Sequence, residues 1–234
     1  MTGVMFEVQQ DWAQYTVEQH AVWATLYRRR MASLARTASR AFLDGARAIG
    51  LHAGTIPDLA DVNARLGVLT GWNAVPVSGF LPARDFFRCL AVRRFPTTVS
   101  IRAPHELDYT PAPDIFHDVF GHVPMHANPA FADFLQRFGA RAAAAADEAE
   151  VERMARLFWF TVEFGLVREA GEIKVYGSGL ISSHGDAANA LGPACEKRTF
   201  DVASVMAQSF AIDELQPVLF VVSSFDELFN SLTL

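Results

Sequence analysis

The spacing of apolar residues along the chain predicts a mostly helical protein. Between residues 16 and about 48, apolar residues such as Val17, Ala21 and Leu26 recur close to the helical period, which predicts one or two long helices. The same pattern, bounded by helix-start and helix-stop residues, predicts further helices over residues 58–66, 84–91, 129–146, 151–168, 201–210 and 225–232.

A few short segments instead carry strand patterns. Residues 75–77 and 99–102 alternate between apolar and polar side chains, and residues 218–222 form a continuous apolar run typical of a buried strand. Residues 173–185 alternate briefly and then become rich in glycine and serine, which suits either a close approach to a ligand or an ordinary turn. The predicted fold class is therefore mainly α with a few short β-strands (α+β).

Composition narrows the class of protein. The chain has 234 residues, 51% of them hydrophobic, with no internal repeat or shift in composition, so we expect residues 1–234 to form a single domain. A net charge of −6, with Arg28–Arg30 as the only dense cationic run, argues against nucleic acid as a partner. Two cysteines and no export signal or long apolar run predict a cytoplasmic protein without a membrane partner.

Two histidines stand out inside an apolar segment, PDIFHDVFGHVP, at residues 113–124. Residues five apart lie about 140° round a regular α-helix, so His117 and His122 could not both reach one ion from the same helical face. Gly121 and Pro124 allow the helix to end near Phe120 and the chain to turn His122 back beside His117. The segment therefore predicts two metal ligands.

The third predicted ligand is Glu163, the only charge in the apolar segment LFWFTVEFGL. An isolated carboxylate in a core costs more than a protein's stability margin, and coordination to a metal would compensate that cost. Two imidazoles and one carboxylate suit a non-haem Fe(II) with open coordination positions. Zinc is the competing metal, as in a hydrolase, although the HExxH spacing of many zinc sites is absent. For either histidine alone, a hydrogen-bonded core histidine remains the simpler interpretation.

Three other side chains could complete a site. Arg102 ends a predicted strand and either faces water or points inward, where its planar guanidinium would suit an amino-acid carboxylate. Asp114 is placed to cap the histidine helix. Trp159 lies four residues before Glu163 and would form an indole wall beside the metal.

Four segments together carry a resemblance to a known family. They are YTPAPDIFHDVFGHVP, WFTVEFGL, YGSGLISS and, more weakly, SGFLPARDFF. In their order and spacing they resemble the catalytic domain of the tetrahydropterin-dependent aromatic amino acid hydroxylases, most closely the bacterial members that act on phenylalanine. The resemblance spans nearly the whole chain. It implies a mostly helical fold, Fe(II) held by His117, His122 and Glu163, and a reduced pterin such as tetrahydrobiopterin as electron donor.

The resemblance also implies roles for individual residues. Phe86 resembles the aromatic on which the pterin stacks, with Gly79, Leu81 and Asp118 beside it. Arg102, supported by Thr110 and Ser182, resembles the site of the substrate carboxylate. The implied pocket for the aromatic ring is lined by Trp159, Phe164 and Gly179.

The implied activity is para-hydroxylation of L-phenylalanine by O2, giving L-tyrosine. Trp159 leaves less room for a bicyclic substrate, and the apolar Ile212 offers nothing to a phenol hydroxyl, so tryptophan and tyrosine are predicted to be poorer substrates. Ser178, where many relatives carry alanine, leaves meta-hydroxylation open. The sequence is also compatible with a zinc hydrolase or with a non-catalytic protein that binds a pterin or an amino acid. The regulatory domain and tetramerisation helix of animal members have no counterpart in the sequence, so a monomer is expected.

Overall fold

A computed structural model describes residues 6–108, 110 and 112–232 of the chain. It is mainly helical with short strands, which confirms the predicted fold class. The α-helices are α1 Val17–Thr37, α2 Arg40–Ala48, α3 Leu59–Leu69, α4 Ala83–Ala91, α5 Val123–His126, α6 Pro129–Ala143, α7 Glu148–Phe158, α8 Ser178–Ser182, α9 His184–Leu191, α10 Val202–Ala207 and α11 Phe225–Asn230. Two π-helices, Phe116–His122 and Trp159–Glu163, and two short 3-10 helices, Trp12–Gln14 and Pro104–Glu106, complete the helical elements of the described residues.

The strands form two small sheets. Strands β1 Asn73–Val77 and β2 Arg94–Thr98 pair in parallel, joined through α4. The second sheet has the order β4-β3-β6-β5, and its strands are β3 Leu166–Glu169, β4 Glu172–Val175, β5 Glu196–Thr199 and β6 Val218–Val222. Strands β3 and β4 are an antiparallel hairpin, whereas β6 runs parallel to both β3 and β5.

Helix ends follow local side-chain chemistry. Thr16 and Gln19 form a capping box at the start of α1, in which each side chain bonds the other residue's backbone N–H. The long predicted helix is divided at Ala38, whose extended backbone ends α1, and Ser39 caps α2 by accepting a hydrogen bond from the N–H of Phe42. The prediction of one or two long helices over residues 16–48 is thus confirmed as two.

The core is one continuous cluster of buried apolar side chains that is rich in aromatic rings. The first π-helix lies inside it, with Phe116 and Phe120 stacked at 4.6 Å and Trp23 of α1 against Phe116 at 5.3 Å. These ring contacts fix the segment that carries His117 and His122. None of the described helices combines the length and the apolar character needed to cross a bilayer.

Three differences between the structure and the sequence predictions concern strands. Residues 99–102 are not a strand; the strand lies just before them, at Arg94–Thr98, where pairing with β1 outweighs the weak alternation of the sequence. The helix predicted over residues 151–168 ends at Glu163, and residues 166–169 are β3. Strand β5 was not predicted because its charged residues, EKRT, lie at a sheet edge with little burial.

Candidate metal centre

His117 and His122 meet because they lie on a π-helix. A π-helix has i→i+5 hydrogen bonds, so residues five apart stack along one face. The two imidazole centroids are 5.0 Å apart. The predicted helix end near Phe120 is therefore wrong: the π-helix continues through His122 directly into α5.

Glu163 reaches the two histidines from the second π-helix. Its Oε1 lies 3.1 Å from Nε2 of His122, and its Oε2 lies 3.7 Å from Nε2 of His117. One donor atom from each of the three residues can be chosen so that all lie within 4.8 Å of one another. His122 is buried, while His117 and Glu163 keep partial exposure, so the donor atoms converge at the edge of the core.

The carboxylate is ionised in this environment. Burial alone would raise the pKa of Glu163, but His122, His117 and the Ser178 hydroxyl together outweigh burial and lower that pKa to about 2. An ionised carboxylate beside two imidazoles needs positive charge. A divalent cation supplies it, and the chemistry of the donor set fits iron(II).

Ser182 selects the tautomer of His117. The Ser182 hydroxyl donates to the carbonyl oxygen of Ser178 at 2.8 Å and lies 2.9 Å from Nδ1 of His117. Because a hydroxyl has one proton, Ser182 accepts from Nδ1–H, which leaves Nε2 of His117 with its lone pair directed at the carboxylate side. A metal that binds at Nε2 requires this tautomer, with the proton on Nδ1. The family resemblance implies that Ser182 supports substrate binding, and that role stays a prediction beside its contact with His117.

Arg102 points inward and is paired with Asp114. Its Nε and Nη2 donate to the two carboxylate oxygens of Asp114 at 2.8 and 2.9 Å. The two side chains are 7% and 4% exposed. Burial tends to raise the pKa of Asp114, but the bonds from Arg102 outweigh it and leave that pKa below its usual value. Asp114 also accepts from the backbone N–H of His117 at 3.0 Å, the capping role predicted for it.

Thr110 does not join this pair. Its hydroxyl donates to the carbonyl of Ala112, 3.1 Å away in the same loop. Thr110 and the guanidinium of Arg102 share no hydrogen bond among the described residues.

Asp118 ties the first π-helix to the sheet. Its Oδ2 accepts from both the backbone N–H and the hydroxyl of Thr98, each at 2.7 Å, at the end of β2. Burial raises the pKa of this carboxyl, and the neighbouring His117 only partly opposes that effect. Thr98 could have been noticed in the sequence only once the strand was placed correctly, because the misplaced strand began one residue later.

Phe86, one of the residues predicted to hold the pterin, is linked to the centre through Phe95. Phe86, half-buried on α4, makes an edge contact with Phe95 at 5.9 Å, and Phe95 in turn packs 4.7 Å from His122. Gly79 and Leu81 lie on the loop between β1 and α4, where a side chain added at Gly79 would meet open space.

The residues predicted to hold the substrate ring do form one cluster. Trp159 and Phe164 lie with ring centroids 4.6 Å apart, and Gly179 approaches Phe164 so closely that an added Cβ would be 3.0 Å from the ring. Phe210 extends the cluster by stacking on Trp159 at 4.4 Å. Phe210 was missed because it lies in a segment predicted to be a helix, whereas α10 ends at Ala207.

Comparisons with known proteins agree with this geometry. Residues 8–233 match the sequence profile of the biopterin-dependent aromatic amino acid hydroxylase family. The chain is 44% identical over 222 residues to the phenylalanine-4-hydroxylase of Caulobacter vibrioides, covering 94% of this chain and 76% of that protein.

Solved structures of phenylalanine hydroxylase from Chromobacterium violaceum are also similar. The structure with iron(III) and the oxidised cofactor 7,8-dihydrobiopterin has a TM-score of 0.94 and 40% identity, covering 97% of this chain and 83% of that chain. The structure with iron and phenylalanine has a TM-score of 0.92 and 38% identity, covering 98% of this chain and 84% of that chain.

Proposed function

Because the chain belongs to the biopterin-dependent aromatic amino acid hydroxylases, we propose that it converts L-phenylalanine to L-tyrosine with iron(II), a reduced pterin and O2. The observation that carries this proposal is the convergence of His117, His122 and Glu163, whose donor atoms lie within 4.8 Å of one another. The name of the Caulobacter relative, phenylalanine-4-hydroxylase, and the ligands bound in the Chromobacterium structures support the choice of substrate and cofactors.

In this proposal the three convergent residues hold the iron. His117 and His122 would contribute neutral Nε2 atoms, and Glu163 would contribute an ionised carboxylate, whose charge the bound cation would balance. Bound iron and pterin supply the activation of O2. The protein holds the donor atoms in place: Ser182 fixes the tautomer of His117, and Asp114 bonds its backbone N–H.

The amino-acid carboxylate would be held by Arg102. Nε and Nη2 of Arg102 donate to Asp114, so the substrate carboxylate would accept from the N–H groups of Nη1. Asp114 thereby orients Arg102 before the substrate arrives. Supporting roles for Thr110 and Ser182 in binding that carboxylate remain predictions.

The substrate ring would lie against Trp159, Phe164 and Gly179. These residues form an apolar wall that excludes water from the reacting ring. Phe86 would stack on the pterin, with Gly79, Leu81 and Asp118 around it, and a Cβ added at Gly79 would meet nothing within 4 Å. Distinct walls for the two organic ligands are what a reaction between them at one metal requires.

The other classes have less support. The donor set alone would also suit a zinc hydrolase, but the family to which the chain belongs is biopterin-dependent. A non-catalytic binding protein would not need three convergent metal donors. The continuous core supports residues 1–234 acting as one catalytic domain, and a monomer stays a prediction.

Product analysis tests the proposal. Purified protein is loaded with Fe(II), supplied with tetrahydrobiopterin and O2, and given phenylalanine, tyrosine or tryptophan separately, with each product identified by the position of its new hydroxyl. We expect para-tyrosine from phenylalanine and slower turnover of the other two amino acids, because Trp159 narrows the pocket. Mainly meta-tyrosine would contradict the regiochemistry, and faster turnover of tryptophan or tyrosine would contradict the substrate.

A further inference from the structure

Ser178 makes a short hydrogen bond to the carboxylate of Glu163. The Ser178 hydroxyl oxygen lies 2.6 Å from Oε2 of Glu163, and a second acceptor, the carbonyl oxygen of Val162, lies farther away at 3.4 Å. A hydroxyl has one proton, and the nearer, negatively charged oxygen is the stronger acceptor. Ser178 is 1% exposed, so water does not compete for this bond.

The backbone of Ser178 is fixed against the first π-helix. A Cβ added at Gly121 would lie 3.0 Å from the carbonyl oxygen of Ser178 and 3.2 Å from its Cβ. Glycine at residue 121 thus allows α8 to approach the histidine helix directly. On the other side, a Cβ added at Gly177 would overlap the carbonyl group of Glu163. Ser178 therefore lies between the two segments that carry the three metal ligands.

Arg30 of α1 fixes the opposite end of the same helix. Its Nε donates to the carbonyl oxygen of Ile181 at 2.7 Å, and its Nη2 donates to that of Leu180 at 2.9 Å. Arg30 is 3% exposed, and a cation at a helix C-terminus is favourably placed. With both ends of α8 held, the backbone of Ser178 cannot move with the carboxylate, so the bond anchors Glu163 to a fixed helix.

The bond has a consequence for coordination. It occupies Oε2 and leaves Oε1, 3.1 Å from Nε2 of His122, free of the serine hydroxyl. A carboxylate can bind a metal through one or both oxygens, and the hydrogen bond to one of them decides its orientation. We propose that Ser178 is a positioning residue that fixes Glu163 through Oε2 and presents Oε1 to the metal. This inference rests on the proposed iron site.

Metal binding without turnover tests this role. Metal-free wild-type protein and a Ser178→Ala variant are titrated anaerobically with Fe(II) by calorimetry and, separately, with Co(II) by visible absorption, which reports the ligands around the ion. We expect the variant to bind Fe(II) about 10- to 100-fold more weakly, as is usual when a partner of a metal ligand is removed. We also expect an altered Co(II) spectrum, because the freed carboxylate can turn.

Ser231→Ala is the matched control. Ser231 is also buried, at the C-terminal end of α11, and its hydroxyl donates to a backbone carbonyl, that of Leu228 at 2.6 Å. We expect this variant to keep the wild-type Fe(II) affinity and Co(II) spectrum. A loss of metal affinity in Ser231→Ala equal to that in Ser178→Ala would overturn the proposal, since any buried hydroxyl would then have the same effect.

A second variant keeps the test decisive if Ser178→Ala is poorly folded. Ser178→Gly also removes the hydroxyl and adds no group that can bind the metal, so the folded variant should still lose Fe(II) affinity. Wild-type affinity and an unchanged Co(II) spectrum in the folded variant would overturn the role of Ser178. Wild-type protein that binds no Fe(II) would instead overturn the iron site itself, and the positioning role with it.

Discussion

His126 shows how strongly the surroundings decide what a histidine does. It lies four residues after His122 but is 1% exposed, stacked on Trp72 at 4.6 Å and in edge contact with Phe95 at 4.9 Å. Neither of its ring nitrogens has a hydrogen-bond partner among the described residues. Burial, and secondarily the charge of His122, lowers the pKa of His126 well below its usual value. His126 is therefore a neutral ring packed in the core.

We predict that His126→Leu stabilises the protein. An unsatisfied buried polar group costs about 1–3 kcal/mol, so the variant should gain up to that amount at pH 7. The unfolded chain protonates His126 below about pH 6.5 while the folded chain does not, so wild-type stability falls as the pH falls. The advantage of the variant should therefore grow by about 1.4 kcal/mol for each pH unit below 6.5.

Urea unfolding of both proteins at several pH values between 7 and 5 measures this difference. His105→Gln, a change at an exposed histidine, is the control and should follow the wild type. A constant difference between His126→Leu and wild type across this range would mean that the pKa of His126 is the same in the folded and unfolded states.

For individual residues, the sequence shows which polar side chains lie in apolar segments, but it does not show which residues they contact. Glu163 could be singled out because a charge in an apolar segment needs compensation. The partner of Arg102 could not be identified, since either a substrate or Asp114 satisfies a guanidinium equally well in a sequence. His126 and His122 look alike in the sequence, since each is a histidine among apolar residues. In the structure His126 packs in the core, whereas His122 faces Glu163.

Among the elements, the two π-helices are what the sequence could least predict. The five-residue spacing of His117 and His122 argues against a shared α-helical face, and a helix end was the natural way to bring them together. The structure keeps the helix and changes its hydrogen-bond pattern instead. A π-helix is rare and has no distinct pattern of hydrophobic residues, so only the packing around it reveals it.

Gly121 provides a test of the contact between the first π-helix and α8. Gly121→Ala gains about 1 kcal/mol in helix propensity, but it crowds Ser178 at 3.0 Å, and overpacking of this kind costs about 1–3 kcal/mol. We expect a net loss of stability of up to about 2 kcal/mol and weaker Fe(II) binding, measured by urea unfolding and anaerobic calorimetry.

Gly67→Ala is the matched substitution in an open position. Gly67 lies in α3, and a Cβ added there meets nothing within 4 Å. This variant should gain about 0.5–1 kcal/mol and bind Fe(II) as the wild type does. If the two variants change stability in the same direction and by the same amount, the close approach of Gly121 to Ser178 has no energetic importance.

For the whole molecule, the continuous core implies that folding does not depend on the metal. A core of this size is sufficient for a chain of 234 residues, so the metal-free protein should be folded. Fe(II) that binds only the folded state adds about 2.7 kcal/mol at 100 times its Kd. We predict a rise in Tm of about 5–10 °C when Fe(II) is added anaerobically.

His117→Ala separates the metal from the fold. We expect this variant to retain the far-UV circular dichroism of the wild type and to show no rise in Tm with Fe(II). His105→Gln should retain the full rise, because His105 is an exposed residue outside the centre. A His117→Ala protein that is still stabilised by Fe(II) would mean that this histidine is not a ligand.

The general architecture could be predicted from the sequence, but the arrangement of its strands could not. Helix-forming patterns are local, so α1, α2, α6 and the apolar strand β6 were recognised. Pairing depends on partners far apart in the chain, and β5, whose residues are mostly exposed, has no local signal. His117, His122 and Glu163 could be assigned to one site because each lies in a mostly apolar segment. Such a segment offers few polar partners, so these side chains were expected to find partners in each other and a metal.

The position of α8 has a consequence for the order of events during synthesis. The hydroxyls that orient His117 and Glu163 belong to Ser182 and Ser178, which are synthesised after both of them. Arg30 is synthesised much earlier, but its acceptors are the carbonyls of Leu180 and Ile181. A chain is synthesised from its N-terminus, so the nascent protein carries both histidines before Glu163, Ser178 and Ser182 have been made. Iron that bound at that stage would find two imidazoles without the third ligand. All the residues that hold and orient the ligands are present only after residue 182 has left the ribosome. We therefore expect metal loading to follow the synthesis of residue 182.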